Sequence, residues 1–136
     1  MILCDWQWIR TVGNLPRKSN SRQAVENPRT GKPMFIKSAK ALQWVQDALR
    51  QLAPLRVPLG SEQQPLSITM HIWYKDKRPD LSDELVLDML KRALIISDDR
   101  HVYHVELFKH FNRDKQGIWF QIKEIEHDPY QDPDSF

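Results

Sequence analysis

The sequence predicts an α+β domain in which a mixed β-sheet carries two helices on one face. Three observations predict it. Runs rich in β-branched and aromatic residues recur at 2–12, 66–74, 101–111 and 117–125. Two other runs, 41–52 and 85–94, carry apolar residues at helical spacing. The two kinds of run interleave, in the order strand, loop, strand, helix, strand, helix, strand, strand, which suits helices layered on one sheet. At 136 residues the chain is long enough for one domain with a real core.

Ile2 to Val12 reads as a strand, with Cys4, Trp6 and Trp8 at period two. Gly13 to Pro33 reads as a long loop, punctuated by Gly, Pro, Asn and Ser and carrying five basic residues. Met34-Phe35-Ile36 is a short strand, and Ser38 is placed to cap the helix that follows. Ala41, Leu42, Val45, Ala48, Leu49 and Leu52 form that helix's apolar stripe, which Pro54 ends. Leu66 to Tyr74 is a strand with Ile68, Met70, Ile72 and Tyr74 on one face. Ser82 fits a second cap. Leu85, Val86, Met89, Leu90, Ala93 and Leu94 then stripe the second helix. His101 to Phe111 and Gly117 to Ile125 read as an antiparallel pair around the turn 112–116. The domain is expected to span 1–126, with 127–136 an acidic tail.

Composition narrows the function classes. A single cysteine, Cys4, forbids an intramolecular disulfide and fits a reducing cytoplasm. No apolar run approaches the roughly 20 residues of a membrane span, and the first residues lack the pattern of a signal peptide. No Ser/His/Asp or Cys/His arrangement is apparent. His101, His104 and His110 lack zinc-site spacing, and no glycine cluster could cradle a phosphate.

Charge is distributed unevenly. Residues 1–79 hold 13 Lys/Arg and 5 Asp/Glu, while residues 80–99 hold 2 and 6. A basic half beside a compact acidic cluster suits a polyanion-binding surface around a metal ion, and also a plain surface with uneven charge, which is the commoner case. Asp80, Asp83 and Glu84 stand at the start of the second helix and Asp98-Asp99 beyond its end. First-turn acids also complement the helix dipole. Acids beyond a helix C-terminus oppose it, so Asp98-Asp99 is the less expected pair. Should the loops at the helix ends meet, Asp80, Asp83 and Asp99 would surround a hard divalent cation, with Glu84 or Asp88 as a further ligand. Arg17, Lys18, Asn20 and Arg22 in the long loop, with Lys75, Lys77 and Arg78 ahead of Asp80, mix cations and small polar groups as phosphate binding requires.

Arg78-Pro79-Asp80-Leu81, the helix with Asp88-Met89-Leu90, and Ser97-Asp98-Asp99-Arg100-His101-Val102 resemble the core of the RusA-type Holliday junction resolvases. Pro16 with Ser19-Asn20, the junction Phe35-Ile36-Lys37-Ser38, and Glu106-Leu107-Phe108-Lys109 resemble further elements of that family, so the likeness spans about residues 10 to 125. The resemblance implies a homodimeric endodeoxyribonuclease, often prophage-encoded, that cuts four-way DNA junctions with Mg²⁺, or Mn²⁺ in its place. It implies catalytic roles for Asp80 and Asp99. Ser82 stands where the family has its second aspartate, so Asp83 or Glu84 would fill that place; Val86 stands where the family has a helix lysine. Two other readings are a non-catalytic DNA-binding module of the same fold, and a protein-interaction domain using Trp6, Trp8 and the acidic tail.

Overall fold

A computed structural model describes residues 1–16, 22–26, 29–31, 33–37 and 39–125, the two stretches 22–26 and 33–37 by their backbone. The fold is α+β, as the interleaved runs predict. Strand β1 (Ile2–Thr11) leads to a ribbon of β2 (Arg22–Glu26) and β3 (Pro33–Lys37), then helix α1 (Ala39–Leu49). Strand β4 (Leu66–Tyr74), helix α2 (Glu84–Arg92), a 3-10 turn (Asp99–His101), β5 (Val102–Phe111) and β6 (Gln116–Glu124) complete it.

The main sheet has the order β1-β6-β4-β5. β4 and β5 run parallel, as expected for strands joined through a helix, while β6 lies antiparallel to both β4 and β1. This corrects the expected β5–β6 hairpin. The turn after β5 carries the chain across the end of β4, where the Asn112 N–H donates to the Tyr74 carbonyl at 2.8 Å. Burial explains the choice. In the sheet centre Ile118, Phe120 and Ile122 are fully enclosed, while β5 at the edge is only partly covered.

β4 alternates buried and half-buried residues along its whole length, the signature of one covered face. Ile68, Met70 and Ile72 meet Ile118, Phe120 and Ile122 of β6 and Ile9 of β1 in a single core. Both helices close it, α1 through Ala41, Trp44, Val45 and Ala48, α2 through Leu85, Val86, Met89 and Leu90. Each such large side chain contributes roughly 1.5–3 kcal/mol on burial.

Three local expectations change. The loop expected over 13–33 contains β2, whose register pairs Arg22 with Lys37. Asp83, not Ser82, occupies the cap position of α2, and its side chain makes no capping hydrogen bond. Leu94 is half exposed instead of core: it turns to φ 59° and ends the helix, and the Ile95 N–H donates back to the Leu90 carbonyl at 3.0 Å. The expected cap Ser38 and the expected tail 127–136 lie outside the described residues.

Candidate functional site

The segment between β4 and α2 is held by specific hydrogen bonds. The Tyr74 hydroxyl donates to the Asp80 carbonyl at 3.3 Å. The Lys109 amine, on β5, donates to the carbonyls of Lys77, at 2.9 Å, and Pro79. The Asp76 carboxylate accepts the Arg78 N–H at 3.0 Å, which together with Asn14 and the charges of Arg78 and Lys75 holds its pKa below the usual carboxylate value. Asn14 also accepts the Lys75 N–H at 2.6 Å, tying the end of β1 to this segment. Pro16 and Lys75 line one cavity with Lys40. Arg17, Lys18 and Asn20 lie outside the described residues, as does the Arg22 side chain.

The acids divide between two ends of the sheet. Asp80 and Asp83 belong to the C-terminal end of β4, with Glu84 opening α2. Asp99 opens the 3-10 turn that enters β5 opposite Leu66, at the other end of the parallel pair. Lys109, which holds the Asp80 segment, stands seven residues beyond Val102, so at about 3.3 Å per residue Asp80 and Asp99 are on the order of 20 Å apart. A shared Mg²⁺ needs oxygens at about 2.0–2.1 Å. The expected convergence of Asp80 and Asp99 within one chain therefore fails, because α2 returns along the strands it connects. Among the described residues, no three His, Cys, Asp or Glu side chains are grouped to hold a metal ion.

Asp98 has a separate local role. Its carboxyl accepts the Arg100 N–H at 3.2 Å and pairs with Lys91 at 3.5 Å at the end of α2. The Asp99 carboxyl beside it, that N–H and the nearby cations hold its pKa at about 2. A cation paired with Asp98 offsets the unfavourable placement of acid after a helix C-terminus.

The cations, by contrast, collect. Lys75, Lys77 and Arg78 after β4 share one end of the sheet with Arg113 and Lys115 in the β5–β6 turn. All five are exposed. Lys77 lies over the Phe111 ring at 5.3 Å and Lys115 over Trp8 at 5.0 Å.

These cations border the face of the sheet opposite the helices. β4 contributes Ser67, Thr69, His71 and Trp73 to that face, and β5 His104, Glu106, Phe108 and His110. β6 adds Trp119, Gln121 and Lys123, and β1 adds Trp6 and Trp8. The rings continue across the strands. Trp6 stacks on Trp119 at 4.3 Å, His71 on Phe108 at 4.6 Å and Trp73 on His110 at 4.3 Å. His71 Nδ1 and His110 Nε2 share a hydrogen bond at 2.8 Å, and burial, then His110, lowers the His71 pKa. Gly117 makes room for Trp8: a Cβ there would stand 2.8 Å from the indole. Of this face, the sequence singles out Trp6 and Trp8 as contact residues. Of the histidines that lack zinc spacing, His104 and His110 belong to it, while His101 is buried in the 3-10 turn; the alternation of histidines with aromatic residues in β4 and β5 is the available signal.

No protein-family model matches this chain, and no curated protein matches it.

Proposed function

We propose that this chain binds branched DNA as a homodimer and cuts it by Mg²⁺-dependent phosphodiester hydrolysis, the activity that the RusA-type resemblance implies. The observation that carries the binding is the cation-rich end of the sheet, where Lys75, Lys77, Arg78, Arg113 and Lys115 stand exposed. Phosphate contacts of this kind are sequence-independent and suit recognition of DNA by shape.

Cleavage rests on the sequence elements around Asp80 and Asp98-Asp99. Exposed carboxylates suit a hard cation, yet the acids of one chain lie at two ends of the sheet. In this reading the ion is held between two copies, by Asp80 and Asp83 or Glu84 of one and Asp99 of the other. A twofold axis makes two such sites, as two cuts require. A second reading, a non-catalytic module that binds DNA structures, is favoured by the lack of a metal-holding trio among the described residues.

The test is a synthetic four-way junction incubated with the protein in Mg²⁺ or EDTA, with binding followed against salt. Mg²⁺-dependent cutting supports the nuclease. Salt-dependent binding without cutting supports the second reading. No binding at low salt removes both.

A further inference from the structure

The helices cover one face of the sheet, and on the other the four strands present aromatic rings. We infer that this open face is a stacking platform for unpaired bases of a DNA strand, with one base entering between Trp8, Trp73 and Trp119 and its phosphate meeting Lys115. The inference rests on the DNA-binding reading and adds a class of substrate, single-stranded or locally unpaired DNA.

Four observations support it. First, the rings are accessible: Trp119 is 38 % and Phe108 44 % exposed, so a flat ligand has faces to meet. Second, Trp8, Trp73 and Trp119 line a cavity of about 460 Å³ with Asn112 and Lys115. That lies in the size range of small-ligand sites. Third, the cavity opens at the cation-rich end, where Lys115 lies 5.0 Å from the centre of the Trp8 ring. A π-face beside an ammonium group matches a base attached to a phosphate, and aromatic side chains in a positive groove are the recurrent means of binding single strands. Four-stranded sheets with exposed rings use the same physics on RNA.

The fourth observation separates this occupant from a second copy of the chain. From Ser67 to Trp73, His104 to His110 and Gly117 to Lys123, the outward positions hold no Leu, Ile, Val or Met. Obligate protein interfaces resemble an apolar core, and Lys is depleted from their centres. Here the spaces between rings hold Ser, Thr, Gln and His, and a lysine borders the cavity.

The experiment compares a thymidine 15-mer, a paired duplex of equal length and a four-way junction, each titrated against wild type, Trp119→Ala and Lys115→Gln. Wild type should bind the 15-mer with quenching of tryptophan fluorescence. Trp119→Ala should weaken that binding about 5- to 150-fold, the loss expected for one stacked base, and leave the duplex unchanged. Lys115→Gln should lower the salt dependence by about one counterion. A melting curve establishes that Trp119→Ala is folded. Independently, a 15-mer carrying 5-bromodeoxyuridine, irradiated on wild type, should cross-link to a peptide containing Trp8, Trp73 or Trp119. Binding of the 15-mer that is unchanged in Trp119→Ala, with cross-links elsewhere, overturns the platform and leaves the DNA-binding reading intact. Failure of wild type to bind any of the three DNAs overturns that reading too. A dimer in sedimentation that Trp119→Ala converts to monomer assigns the face to a second copy and overturns the inference.

Discussion

The two faces of one sheet follow different rules. Phe120 and Trp119 are neighbours in β6, yet Phe120 is fully buried and Trp119 is 38 % exposed. On the covered face, Ile, Met and Phe mesh with two helices. On the open face, rings stack on one another and leave their outer surfaces available. Large apolar area on the covered face stabilises the fold. On the open face, stacking pairs add only about 0.5–1.5 kcal/mol each beyond burial. The difference in enclosure therefore separates the side that holds the protein together from the side whose rings stay accessible.

Phe120→Ala should cost about 3–5 kcal/mol in denaturant unfolding, as buried Phe truncations do. Trp119→Ala, one residue away, should cost about 1 kcal/mol. Equal losses would mean that the open face is core. Next in size is Gly117→Ala. Its Cβ would crowd the Trp8 indole and the Ile9 carbonyl, so a loss of about 1–3 kcal/mol is expected, with a change in tryptophan emission. A neutral result would show that Trp8 does not lie over Gly117.

Lys109→Met probes the connection between the sheet and the acidic segment. It removes two hydrogen bonds to the carbonyls of Lys77 and Pro79, worth about 1 kcal/mol together in an exposed setting. Amide exchange should quicken at residues 77–80 and stay unchanged in β6. The smallest effect is a pH response. Burial and His110 lower the His71 pKa below 6.5. The unfolded chain then takes up the proton first, so stability is fully present above pH 6.5 and falls as pH drops below it. Melting temperatures at pH 7.5 and 5.5 should differ, and His71→Gln should narrow the difference.

Much of the fold was legible because the covered face alternates cleanly. Ile68, Met70, Ile72 and Tyr74 disclosed β4, and the stripes around Val45 and Met89 disclosed both helices. Strand partners were not legible. Asn112 to Gln116 reads as a hairpin turn, and only the full burial of Ile118, Phe120 and Ile122 draws β6 to the sheet centre. The acids read as a cluster because they bracket a helix in sequence. Spacing along the chain gives no information on whether that helix folds back or runs the length of the sheet. The open face went unread for a related reason: its rings come from four strands and meet only when the sheet forms.

In the proposed nuclease, Asp80 and Asp99 of one chain stand too far apart to share an ion, and cutting would need two copies. Nicking of a four-way junction by Asp80→Asn and Asp99→Asn, each alone and then mixed after joint refolding, tests it most directly. Each alone should be inactive in Mg²⁺. In the mixture about half the dimers combine the two variants and keep one intact pair, so about one quarter of the wild-type sites should return. Wild-type nicking with no recovery in the mixture would contradict the account, because it would locate both carboxylates of a site in a single chain.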